Sequence, residues 1–193
     1  SGSIENNFSI FEGIYSADGY EPLHIKRYGE LISASKDGHI TDSLSRSDVN
    51  IIGGYGDADL KENLYRQRIL NLLGVKYILN KKDDSGIDKA FSPEIYSLIW
   101  QKSHWQIYEN KNVLPRVFLA SSYVVEKDKN KIIQMIFDDK FDLRNKIILE
   151  EEIFPKINLS LDENAKVETK VYAPNKIVVN ISSTVVNGAN KYV

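Results

Sequence analysis

The stretch Asp59-Leu60-Lys61-Glu62-Asn63-Leu64-Tyr65-Arg66-Gln67-Arg68-Ile69-Leu70-Asn71-Leu72-Leu73-Gly74-Val75-Lys76-Tyr77-Ile78-Leu79 changes period partway along, and that change decides the fold class. Leu60, Leu64, Ile69, Leu72 and Leu73 recur at helical spacing and make one apolar stripe. Asp59 suits the cap of such a helix, with Glu62 three residues later. Gly74 then stops it, because a residue without Cβ enters the left-handed conformation at no steric cost. Val75 to Leu79 is β-branched and aromatic and reads as a strand. A helix that runs into a strand through one glycine predicts an α+β fold.

Working outward, residues 22–34 read as a helix, with Pro22 in the first turn and Ile25, Tyr28 and Ile32 on one face. Residues 35–48 are rich in Ser, Asp and Gly and read as a loop, and 49–52 as a short strand. After a polar loop at 80–88 comes a less regular segment at 93–100. Strands are expected at 105–108, 117–120, 123–125 and 146–149, with a helix capped by Asp128 that carries Ile132, Ile133, Ile136 and Phe137. Past Pro155, Val167, Thr169 and Val171 alternate with polar residues. A turn at Ala173-Pro174-Asn175-Lys176 leads to Ile177, Val179 and Ile181. The expected layout is a mixed α/β part over residues 4–152, then an antiparallel, β-sandwich-like part over 153–193. Ser1-Gly2-Ser3 reads as an expression remnant. Asn187-Gly188 is a hairpin turn with only five residues after it, so the β-rich part is expected to be truncated at its C-terminus.

Composition removes several functions. A net charge of −2, with Lys and Arg interleaved with acids as in Glu126-Lys127-Asp128-Lys129, lacks the concentrated cationic surface that nucleic acid requires. No cysteine is present, which excludes disulfide frameworks, zinc ribbons and thiol catalysis. No run approaches the roughly 20 apolar residues of a membrane helix; the longest apolar-rich stretch, 113–125, is interrupted by Pro115 and Arg116.

The motifs are weighed in the same way. Gly53-Gly54-Tyr55-Gly56 lies between a strand and a helix, as in dinucleotide-binding units, but Asp59 stands where the third glycine belongs. Asp57 and Asp59 would also set negative charge where a phosphate should sit, so the segment reads as a turn and a cap. Asp57-Ala58-Asp59 fails as a calcium loop at Lys61, and Asp83-Asp84-Ser85-Gly86-Ile87-Asp88 is an acidic loop that could hold a cation weakly but reads rather as a solvated turn. His24, His39 and His104 lack metal-ligand spacing, and no Gly-x-Ser-x-Gly elbow exists. No metal, no cofactor and no catalytic residue is expected. Eleven tyrosines and two tryptophans supply amphipathic rings of the kind that sugar sites use. Tyr15, Tyr20, Tyr28 and Tyr55 gather in the first third among Asp18, Glu21, Arg27 and Asp57.

Four segments in order carry a resemblance. They are Asp18-Gly19-Tyr20-Glu21-Pro22-Leu23 with Lys26-Arg27-Tyr28; Leu72-Leu73-Gly74-Val75-Lys76-Tyr77-Ile78; Tyr108-Glu109-Asn110 with Leu114-Pro115-Arg116-Val117-Phe118; and Val171-Tyr172-Ala173-Pro174-Asn175-Lys176-Ile177. Together, from Gly19 onward, they resemble the soluble region of YfhO-type bacterial membrane proteins. The resemblance implies a polytopic, GT-C glycosyltransferase-like parent that uses a polyprenyl-phosphate-linked sugar in cell-envelope polysaccharide or teichoic-acid glycosylation. It places this region on the extracytoplasmic face, with the transmembrane part of the same polypeptide as its partner. The family's catalytic acids lie in a loop between early membrane helices, so none is carried over.

The expected function is therefore a non-catalytic, carbohydrate-binding domain that helps acceptor or glycan recognition. Tyr20, Glu21, Arg27, Tyr28, Tyr55 and Arg116 are the candidate ligand-binding residues. A second reading is a structural or protein-interaction scaffold without a ligand. A third is an independent hydrolase or transferase built on carboxylates that the sequence cannot pair.

Overall fold

The computed structural model describes residues 7–20, 25–42, 48–49, 51, 59–82, 90–154 and 164–182. The fold is α+β, with a three-stranded antiparallel sheet and three two-stranded sheets among the described residues. The elements in order are α1 (Phe8–Phe11), β1 (Gly19–Tyr20), α2 (Lys26–Ser33), β2 (Asp48–Val49), α3 (Asp59–Glu62), α4 (Leu64–Leu72), β3 (Tyr77–Lys81), β4 (Tyr96–Lys102), β5 (Trp105–Asn110), β6 (Ser122–Val125), α5 (Lys129–Phe137), β7 (Lys146–Leu149), β8 (Lys166–Ala173) and β9 (Lys176–Ser182). Among the described residues no helix is long and apolar enough to cross a membrane.

The expected single helix over 59–73 is two helices, and Asn63 is the reason. Its Oδ1 accepts the Arg66 N–H at 3.0 Å and its Nδ2 donates to the Lys36 carbonyl at 3.0 Å, so it caps α4. An Asn that bonds nearby backbone in this way competes with helix continuation. Gln67 donates to the carbonyls of Leu60 and Lys61 at 2.9 and 2.8 Å, which satisfies the open end of α3. The stop at Gly74 is as expected. Its φ is +67°, Gly74 N–H bonds the Asn71 carbonyl at 3.1 Å and Val75 N–H bonds the Leu70 carbonyl at 2.9 Å. This is a Schellman closure, and it turns the chain directly into β3.

The chain clusters into two compact units, one made of residues up to Leu114 with Ile133–Asp139, the other of Pro115–Ile132 with the residues from Lys140 onward. In the first unit, Ile69 of α4 is fully buried with Ile32, Ala34, Ile133 and Phe137, and Tyr65 meets Phe137 edge to face at 5.6 Å. Leu70, one residue on, points into a second cluster with Leu60, Ala90, Phe91, Tyr96 and Tyr108. There Phe91 stacks on Tyr108 at 3.8 Å and packs edge-on against Tyr96. This second cluster covers the inner face of the sheet ordered β3-β5-β4. An amide ladder crosses that same face: Asn80 donates to Gln106 at 2.9 Å and Gln106 to Gln101 at 3.2 Å. β4 begins within the less regular segment at 93–100 and runs on to Lys102, and a bulge between Leu98 and Trp100 breaks its alternation.

In the second unit, β6 pairs with β7 in parallel, with α5 between them in the chain. Asp128 caps α5 as expected, since its Oδ1 accepts the N–H groups of Asn130 and Lys131 at 2.9 and 3.0 Å. Residues 117–120 are not a strand: they follow Pro115, which lacks a donor, and no described strand pairs with them. Strands β8 and β9 form the expected hairpin around Pro174-Asn175, with a register shift between Thr169 and Val171. Beyond Glu152 the described elements are this hairpin alone.

Candidate functional site

The first signature segment is held by its own residues. Gly19 pairs with Val49 and Tyr20 with Asp48, while the Asp18 carboxylate accepts the Ile51 N–H at 2.8 Å. The Tyr28 hydroxyl donates to the Ala17 carbonyl at 3.0 Å, and its ring packs on the Ile32–Ile69 cluster. Burial, and secondarily the Asp18 charge, push the Tyr28 hydroxyl above its usual ionisation range. Three separate pieces of chain around residues 17–20, 25–28 and 48–51 therefore meet. Arg27 is exposed on α2 beside Tyr28. The side chain of Tyr20, and Glu21 and Tyr55 entirely, lie outside the described residues.

The second and third signature segments meet around a buried amide, Asn110, and a half-buried one, Asn71. Asn110 is 1% exposed. Its Nδ2 donates to Asn71 Oδ1 at 2.8 Å and to the Val75 carbonyl at 3.2 Å, and its Oδ1 accepts the Asn112 N–H at 3.0 Å. Asn110 N–H bonds the Lys76 carbonyl at 2.8 Å, and Leu114 N–H bonds the Asn71 carbonyl at 3.0 Å. The segment that ends α4 and the segment that ends β5 are thereby locked together, with Tyr77 paired to Glu109 in the sheet.

Arg116, the remaining candidate, is in the second unit. Its guanidinium sits 4.8 Å over the ring of Tyr172, which joins the third signature segment to the hairpin of the fourth. His39 is exposed in the turn after α2, His104 is exposed between β4 and β5, and His24 lies outside the described residues. Among the described residues no group of three His, Asp or Glu side chains is placed to hold a metal. The glycine-rich stretch 52–58 also lies outside them, but β2 pairs with β1 and β3 with β5, both antiparallel. The parallel pair is β6 with β7 instead, and the loop between β6 and α5 carries Glu126 and Asp128, which cap its own amides. Such a loop offers nothing to a phosphate.

Sequence reasoning did not single out the outer face of the β3-β5-β4 sheet. The register sets three rows across it: Tyr77, Glu109 and Ser97; Leu79, Ile107 and Trp100; Lys81, Trp105 and Lys102. Tyr77 is 54% exposed, Leu79 46% and Trp100 44%. Without the bulge, Trp100 and Lys102 would share the side of Tyr96 and Leu98; the extra residue, Ile99, turns both outward. Lys76 lies 3.4 Å from Glu109 and 5.2 Å from the Tyr77 ring centre, and Tyr77 first, then Glu109, hold its ammonium above the usual range.

No protein-family model matches the chain, and neither a curated protein nor a solved structure matches it. The reading of the site rests on its own residues.

Proposed function

We propose that this chain is a non-catalytic extracytoplasmic domain of a YfhO-type, GT-C-like membrane protein, and that it assists glycan or acceptor recognition. The observation that supports this reading most is the convergence of residues 17–20, 25–28 and 48–51. Arg27, exposed on α2, is the chain neighbour of Tyr28, whose hydroxyl bonds the Ala17 carbonyl next to Asp18. An exposed guanidinium suits hydroxyl-rich and phosphate-linked sugars.

The experiment is a binding screen of the chain against a glycan array and polyprenyl-phosphate-linked sugars, repeated with Tyr20→Ala and Arg27→Ala. Saturable binding that either variant loses is the expected result. Binding that both variants retain moves the recognition surface elsewhere, and no binding across the whole set overturns the recognition reading.

The scaffold reading has its own support. Tyr28, Asn110 and Arg116 each bond or pack within the chain, and four signature segments that hold one another need no ligand to account for them. It predicts that Asn110 variants destabilise the chain while Arg27 variants change nothing measurable.

A further inference from the structure

Both tryptophans of the chain, Trp100 and Trp105, lie on the outer face of the β3-β5-β4 sheet. We propose that this face docks on the headgroup layer of a membrane that contains anionic lipid.

Three features carry the inference, and none of them belongs to the signature neighbourhood at residues 17–28. The first is the chemistry of the rows. Leu79 and Ile107 form an aliphatic centre, and Tyr77, Trp100 and Trp105 surround it with rings that have one apolar body and one polar tip. That combination partitions to the boundary between acyl chains and headgroups.

The second is charge. Among the described residues, Lys76, Lys81 and Lys102 are exposed on or beside this face, against the carboxylate of Glu109, which Lys76 already engages at 3.4 Å. Among the described residues of this face the surplus is positive although the whole chain carries −2, so a negative surface attracts it. Lys81 and Lys102 flank Trp105 in one row, and their long stems let the ammonium groups reach phosphate while the ring stays at the boundary.

The third is the bulge at Ile99. The inner face is already filled by Phe91, Tyr96 and Tyr108 and by the amide ladder, and the bulge sends Trp100 to the opposite face, where it is 44% exposed. A five-residue strand such as β3 is about 15 Å long, so the face is a shallow platform that lies on a bilayer and does not enter its core.

The two tryptophans make the test direct, since the chain has no others. Tryptophan emission is recorded for the intact chain with vesicles of pure phosphatidylcholine and with vesicles of equal parts phosphatidylcholine and phosphatidylglycerol. Flotation measures binding in parallel, and brominated acyl chains serve as a contact quencher. A blue shift and quenching with the anionic vesicles, weakened by added salt, are expected. Lys81→Gln and Lys102→Gln should each weaken vesicle binding about fivefold with the far-UV spectrum unchanged. Four outcomes overturn the proposal: no blue shift with anionic vesicles, equal binding to neutral vesicles, a lysine double variant that binds as well as the parent chain, or an emission change that follows protein concentration without lipid. The last would mark the face as a contact between copies of the chain.

Discussion

Replacing Asn110 with alanine probes the junction on which the first unit depends. The side chain is 1% exposed and makes three hydrogen bonds, to Asn71 Oδ1, the Val75 carbonyl and the Asn112 N–H. At about 1 kcal/mol net for each bond, the substitution costs roughly 3 kcal/mol before any penalty for the partners left behind. For a chain of this length that is a fall in Tm of about 6–12 °C. The assay is urea and thermal unfolding followed by circular dichroism, for Asn110→Ala, Asn71→Ala and the double variant. Because the two amides share one bond, the cycle should show about 1 kcal/mol of coupling. Asn110→Asp should be at least as harmful as alanine, since a carboxylate would face two acceptors in place of a donor and would be buried as a charge. A loss below about 1 kcal/mol for Asn110→Ala, or strict additivity with Asn71→Ala, would refute the view that these amides lock α4 to β5.

Other substitutions test other parts of the fold. Gly38 has φ +81° and an added Cβ would lie 2.6 Å from Tyr65 Cε1, so Gly38→Ala should cost about 2 kcal/mol or more, read by urea unfolding. Tyr28→Phe should cost about 1 kcal/mol at neutral pH through the lost bond to Ala17. Its ionisation is raised above the ordinary 10.0, so its contribution is present below that value and is lost as pH rises through the folded one. The parent chain should therefore lose stability more steeply than Tyr28→Phe above that pH, and identical slopes would contradict the assignment. Asp128→Ala should cost about 1 kcal/mol and fray the start of α5, visible as faster amide exchange at Asn130 and Lys131, whereas Asp128→Asn should keep most of the cap.

Local chemistry made much of the fold legible without coordinates. The Gly74 stop, the Asp128 cap, the strand at 146–149 and the Pro174-Asn175 hairpin each depend on a few adjacent residues whose preferred conformations agree with the final structure. The break at Asn63 was not legible in the same way. Its side chain chooses between continuing one helix and capping another, and the choice is settled by partners at Lys36 and Arg66. The bulge at Ile99 is a matter of register with β5, which no single strand encodes. The same holds for the candidate site. Residue types and order singled out Tyr20, Arg27, Tyr28 and Arg116 from the sequence. Only tertiary structure decided that Tyr28 bonds Ala17, that Arg116 covers Tyr172, that Asn110 joins two distant segments, and that Trp100 faces outward beside Ile107. A side chain's type states what it can bond. Which of those bonds it makes depends on partners that lie 11 residues away for Tyr28 and 39 for Asn110, and only the folded chain brings those partners within reach.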